Sequence, residues 1–125
     1  MTAANPYKQY QQQSILTMTP GELIVRLYDE CLKRMNAALF HIDEGRPEEA
    51  DACIRKTQQI VHYLDVSLDM QYEVSTNLHQ LYDYFIRTLV QANVRKRKEL
   101  LQSLIPMMQD LRDSFQQAEK QVHMK

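Results

Sequence analysis

The sequence has very few residues that favour tight turns. Only two glycines and four prolines occur among its 125 residues. Because glycine and proline dominate tight turns, their scarcity predicts a few long secondary-structure elements with short connections. With only Gly21 and Gly45 available, a glycine-rich loop that could hold a phosphate group is excluded. The length predicts a single domain.

A charge imbalance and long apolar runs are lacking as well. The formal net charge is −1, so no overall field attracts nucleic acid or an anionic membrane surface. No apolar run approaches the ~20 residues that span a bilayer, and no charged start is followed by the apolar segment of a secretory signal. We therefore expect a cytoplasmic protein with no nucleic-acid partner and no membrane insertion.

Residue patterns typical of enzymes and metal centres are also missing. None of the four histidines follows a glutamate by three positions, as the Glu-x-x-His motif of di-iron bundles requires. No serine has a local sequence context that links it to a general base. Cys31 and Cys53 fall at core-like positions, which favours reduced cysteines over a disulfide. We predict no catalytic residue, no cofactor and no metal.

Two polar features are open to more than one interpretation. His62, Asp65 and Asp69 share one helix face, which would be solvated or would bind a cation weakly. The basic run 95–98 follows a predicted helix end, where the helix dipole favours cations. It is interpreted as a solvated turn, with docking of an acidic partner as the alternative.

Four long helices are predicted from start and stop signals. Thr19, Pro20 and Glu22 form a helix start, Gly45 a stop, and Pro47 a second start. Since the apolar stripe of the last helix keeps its phase across a proline, we expect one bent helix there rather than two. The predicted helices cover about 20–44, 47–70, 75–94 and the segment from the basic run to about 121.

A polar arm precedes these helices. Residues 5–13 carry Tyr7 and Tyr10, and we expect this segment to be helical when docked and frayed when free. Ile15 and Leu16 belong to a short apolar link. The predicted organisation is an arm and link over 1–18, a helical bundle over 19–121 and a flexible tail over 122–125.

The first and third long helices carry more apolar surface than one small bundle requires. At 100° per residue, apolar residues spread over roughly 200° of the first helix and about 220° of the third, against about 120° of the second. A narrow stripe is enough for each helix of a four-helix bundle. Two explanations stay open: the arm covers the surplus, or a partner helix binds there.

The order of the motifs closely resembles the FliS family of flagellar export chaperones. The segments, over about 5–118, are NPYKQYQQQSILTMTPGELIVRLYDECL, SLDM, LYDYFIRTLVQAN and LRDSFQQA. The resemblance implies an all-α, antiparallel up-and-down four-helix bundle with a short N-terminal helix packed over a groove. It also implies a non-enzymatic protein that binds the C-terminal segment of flagellin, prevents its premature polymerisation and assists its delivery to the flagellar type III export apparatus.

The resemblance and the broad stripes together suggest a partner-binding surface. It combines arm residues with the outer edges of the two broad stripes. The candidate residues are Asn5, Tyr7, Tyr10, Ile15, Leu16, Ile24, Tyr28, Leu32, Leu78, Tyr82, Phe85, Leu89 and Asn93. The expected partners are flagellin and a component of the flagellar export gate, and arm exchange between two copies would give a homodimer. An adaptor that sequesters another flagellar or regulatory protein is the alternative function.

Deletion of residues 1–14 tests whether the arm covers the groove. We expect the shortened chain to bind more of a dye that fluoresces on apolar surfaces, or to change its affinity for the partner, because the groove is then open. Fluorescence titration and calorimetric titration measure these two quantities. If both stayed unchanged, the covering role of the arm would be wrong.

Overall fold

Four α-helices make up the part of the chain that the computed structural model describes, residues 18–123. They are α1 (Pro20–Asp43), α2 (Pro47–Val66), α3 (Glu73–Arg95) and α4 (Lys98–His123). The predicted N-terminal helix and most of the predicted link lie outside these residues. The domain boundaries proposed for the arm, the bundle and the tail stay predictions.

Each helix packs against two others. Helix α1 contacts α2 and α4, and α3 contacts the same two helices, so α1 and α3 occupy opposite corners of a square bundle. Because successive helices are neighbours joined by short connections, the chain reverses its direction at each connection. The predicted all-α four-helix bundle is confirmed.

The start of α1 has the predicted cap. Thr19 adopts an extended conformation, and its hydroxyl accepts a hydrogen bond from the backbone N–H of Glu22 at 3.2 Å. The same hydroxyl donates to Oε1 of Glu119 at 2.6 Å, which ties the start of α1 to the end of α4. Gly21 allows this approach, since a Cβ built at that position would lie only 1.8 Å from the Glu119 carboxylate.

Helix α2 ends at Val66, so the predicted end near Met70 is wrong. Three side chains form local hydrogen bonds in the connection that follows. The Ser67 hydroxyl donates to the Tyr63 carbonyl, and the Asp69 carboxylate accepts from the backbone N–H of Gln71. The Ser75 hydroxyl donates to the Asp69 carbonyl. Such bonds compete with helical ones and leave no trace in apolar periodicity.

The remaining helix ends differ from the predicted ones by only two residues. Helix α3 begins at Glu73 rather than Ser75, and α4 ends at His123 rather than near Gln121. Helix α4 is continuous through Pro106, which confirms the prediction of one helix instead of two.

The core draws large side chains from all four helices. Both cysteines are free; Cys31 is buried and Cys53 is half-buried. Burial raises the pKa of the Cys31 thiol to about 12, so this thiol stays protonated near neutral pH. The largest fully buried side chains include Tyr28, Met35, Ile54, Tyr82, Phe85, Leu89, Leu101, Leu104 and Met108.

Replacement of Thr19 by alanine tests the cap of α1. We expect the free energy of unfolding to fall by about 1 kcal/mol, the usual effect of removing an N-cap side chain. Thr19→Ser is the matched control, because serine keeps a hydroxyl at the same position. Urea denaturation measures both variants, and equal stability of the alanine and serine variants would contradict the role of the cap.

Candidate functional site

An apolar cleft of about 330 Å³ opens at one end of the bundle. At this end α1 and α3 begin and α2 and α4 end, so all four helices contribute to the cleft. The connection between α2 and α3 also contributes, through Leu68. Its apolar walls are formed by Leu23, Ile24, Leu27, Leu68, Leu78 and Phe115.

A second apolar cleft, of about 280 Å³, lies between α1 and α2 and joins the first. Leu23, Leu27 and Tyr63 line both clefts, and Ile60 lines the second. Lys56 places a charge at the second cleft. The two clefts share lining residues and together form one surface, here called the apolar track.

Several large apolar side chains are exposed beside the apolar track. They occur in the last turn of α2, in the connection to α3 and in the first turn of α3. Each is between 52% and 65% exposed: Tyr63, Val66, Met70, Tyr72 and Val74. A cluster of this kind is typical of an interaction surface rather than of a bare monomer surface.

Only some of the predicted partner-binding residues lie at this surface. Ile24 and Leu78 line the first cleft and are half-buried, and the buried Tyr82 also lines it. Leu32 is half-buried on α1 and lines neither cleft. Five candidates lie outside the described residues: Asn5, Tyr7, Tyr10, Ile15 and Leu16.

The other predicted residues line neither cleft of the apolar track. Tyr28, Phe85 and Leu89 are buried in the core, where they stabilise the packing of α1 and α3 and offer no free surface. Asn93 donates from Nδ2 to Oδ1 of Asp51 at 2.7 Å and lines a polar groove between α2 and α3. A stripe of about 200° does not reveal which of its residues face the centre and which form its edge.

Sequence reasoning missed the contributions of α2 and α4 to the apolar track. Tyr63 stands beside the narrow stripe of α2, and Phe115 belongs to the stripe of α4. A signal was present for Tyr63, since a tyrosine outside the core stripe of an amphipathic helix suits a surface that is covered at times. Phe115 resembles an ordinary core residue, because its place in the cleft depends on its packing against Tyr28.

Two tyrosines form a polar contact under the first cleft. The hydroxyls of Tyr28 and Tyr82 are 2.5 Å apart and link opposite corners of the bundle. Burial raises the pKa of both hydroxyls; their mutual hydrogen bond raises the pKa of Tyr28 further and lowers that of Tyr82. The ring of Phe115 lies against Tyr28 with the ring centroids 5.4 Å apart.

Local ion pairs involve the polar residues that were considered for cation binding and for docking of an acidic partner. Nδ1 of His79 lies 2.6 Å from Oδ1 of Asp65, which engages one of the three residues considered for cation binding. In the basic run, Lys98 pairs with Asp43 and Arg97 with Glu99. These contacts favour a solvated turn over an acidic-partner site at 95–98.

The described helices also show no feature of a metal centre or of a membrane span. Among residues 18–123, no group of three or more histidine, cysteine, aspartate or glutamate side chains is arranged to hold a metal ion. None of the four described helices is long and apolar enough to cross a lipid bilayer.

Known proteins match this chain over nearly its whole length. The family described as "Flagellar protein FliS" matches residues 3–122. This chain belongs to the FliS family. The predicted resemblance is thereby confirmed.

Curated relatives of the family share the chain's length as well as its sequence. The chain is 37% identical over 118 residues to the flagellar secretion chaperone FliS of Bacillus subtilis (strain 168), which covers 94% of this chain and 89% of the relative. It is 27% identical over 124 residues to the flagellar secretion chaperone FliS of Salmonella typhimurium, with 94% and 92% covered.

A solved structure shares the fold. The crystal structure of a flagellar chaperone from bacteria superposes with a TM-score of 0.77 at 20% sequence identity. The superposition covers 92% of this chain and 95% of the other. At this level of identity the likeness supports the helical bundle and says nothing further about individual site residues.

The pair of His79 and Asp65 predicts a pH dependence of stability. The hydrogen bond and charge of Asp65 raise the pKa of His79 in the folded chain. The pair therefore stabilises the fold fully below the ordinary histidine pKa of about 6.5, and this contribution is lost as the pH rises through the raised pKa. In NMR titrations we expect a lower His79 pKa in an Asp65→Asn variant. An equal pKa in both proteins would contradict the pairing.

Proposed function

We propose that this chain is an export chaperone that binds the C-terminal segment of flagellin, prevents its premature polymerisation and assists its delivery to the flagellar type III export apparatus. The apolar track carries the proposal, because within residues 18–123 it gathers apolar side chains into two adjoining clefts. Membership of a family whose curated relatives are named flagellar secretion chaperones supports a non-enzymatic flagellar role. We place this role in the cytoplasm.

The proposed binding mode is an amphipathic segment laid into a groove. An apolar groove between helices accepts the apolar face of a partner helix through anchors spaced three or four residues apart. The two clefts share Leu23, Leu27 and Tyr63, so a flagellin segment that lies across these residues would contact both clefts.

Binding of this kind requires no chemical energy. Ordering an unfolded segment costs about 2–5 kcal/mol, which the burial of roughly 1,000–3,000 Å² of surface offsets. A segment held in this way has its own apolar stripe covered, so it is unable to polymerise. Release follows from mass action and from capture by the export machinery.

The arm has a proposed role at the same end of the bundle. Met18, the first described residue, lines a groove between α1 and α4, and Pro20 two residues later lines the first cleft. We propose that Tyr7, Tyr10, Ile15 and Leu16 cover part of the apolar track when flagellin is absent. Contact of the arm with an export-gate component, and arm exchange in a homodimer, are further proposed roles.

Tyr63 offers the sharpest test of the apolar track. We expect Tyr63→Ala to weaken binding of the C-terminal flagellin segment about tenfold or more, because exposed aromatic anchors dominate such interfaces. Calorimetric titration measures the affinity. The matched control is Tyr84→Ala, which removes another exposed tyrosine from outside both clefts and should leave the affinity within about twofold.

Two outcomes would count against the proposal. Equal losses in the two alanine variants would show that the apolar track is not the binding surface. Absence of any heat of binding with the unchanged protein would show that flagellin is not its partner. Specific capture of a different flagellar or regulatory protein would then support the adaptor function.

A further inference from the structure

Two buried hydroxyls share one hydrogen bond beneath the first cleft. Tyr28 of α1 and Tyr82 of α3 are both buried, and their hydroxyl oxygens are 2.5 Å apart. Each tyrosine hydroxyl carries one hydrogen. The hydrogen of the donating tyrosine forms the bond between them. The hydrogen of the accepting tyrosine is not used in this bond and needs an acceptor elsewhere. Within residues 18–123, neither hydroxyl makes another hydrogen bond.

The surroundings of the two hydroxyls favour one of them as the donor of the shared hydrogen bond. Tyr28 packs against Phe115, lies close to Cys31 and lines neither cleft. If Tyr28 were the acceptor, its own hydrogen would be buried among apolar groups without an acceptor, which is strongly unfavourable. Tyr82 lines the first cleft, where water or a bound group can accept its hydrogen. These surroundings favour Tyr28 as the donor, which leaves the hydrogen of Tyr82 to bond a group in the first cleft.

From this arrangement we infer that Tyr82 is a specificity-determining residue, which favours a partner segment carrying a hydrogen-bond acceptor between its apolar anchors. The inference rests on the proposed function, because it requires the partner to enter the first cleft. An entirely aliphatic segment would offer no acceptor and leave the hydrogen of Tyr82 unpaired. A carbonyl, amide or hydroxyl oxygen at that point would supply the acceptor.

Ser67 and Asp69 also line the cleft, and the Tyr82 donor supplies a selectivity that the aliphatic walls lack. Leu23, Ile24, Leu27 and Leu78 distinguish poorly between aliphatic side chains of similar size, because one methylene group changes affinity only modestly. A buried donor discriminates more strongly, since a partner without an acceptor leaves it unpaired. Apolar pockets with one well-placed polar group fix the orientation of a ligand in the same way.

Phenylalanine substitutions at the two tyrosines provide a matched pair for testing the donor assignment. Tyr28→Phe and Tyr82→Phe each remove one oxygen atom and the same hydrogen bond. In Tyr82→Phe the Tyr28 hydroxyl is left unpaired in the core, whereas in Tyr28→Phe the remaining hydroxyl belongs to Tyr82, which lines the cleft. We expect Tyr82→Phe to melt at the lower temperature in thermal denaturation. The reverse order, or equal melting temperatures, would overturn the assignment.

Calorimetric titration with the C-terminal segment of flagellin tests the selectivity, well below both melting temperatures. We expect Tyr82→Phe to weaken binding about 5- to 10-fold, the effect of one lost hydrogen bond, and Tyr28→Phe to bind within about twofold of the unchanged protein. Equal affinities of the two variants would overturn the inference and leave the proposed function standing. No binding by the unchanged protein would overturn the proposed function itself, and the inference with it.

Discussion

A helix at the corner of a square bundle buries only the side that faces the centre and its two neighbours. This constraint divides the apolar residues of α1 and α3 into two sets. Tyr28, Phe85 and Leu89 point to the centre and are buried there. Ile24 and Leu78, at the edges of the same stripes, stay half-buried and line the first cleft. The width of these stripes thus serves both the core and the candidate site.

The connection between α2 and α3 shapes the open end of the bundle. Hydrogen bonds from the side chains of Ser67, Asp69 and Ser75 accompany the end of the helix at Val66 and hold the following residues in a turn. Leu68 therefore reaches the cleft from the connection and not from a helix. The same turn leaves apolar side chains such as Met70 exposed beside the apolar track. Local polar chemistry here shapes an apolar surface.

The candidate site combines weak and strong sources of selectivity. Its aliphatic walls favour almost any amphipathic segment, which suits a chaperone that must hold an unfolded partner. The hydroxyl of Tyr82, which is hydrogen-bonded to Tyr28 at the opposite corner of the bundle, adds a polar requirement. Because both tyrosines also belong to the core, the packing of the bundle sets the position of this hydroxyl.

Local signals along the chain were sufficient for the helices and the family. The cap at Thr19, the stop at Gly45 and the start at Pro47 act through neighbouring backbone groups, so each could be recognised without knowledge of the fold. The binding surface could not be recognised in this way. Apolar periodicity is a property of one helix, whereas a cleft exists only where several helices meet. Tyr63 was marked only by its place outside the core stripe, Phe115 resembled an ordinary core residue, and only the packing of four helices brings the two to one surface.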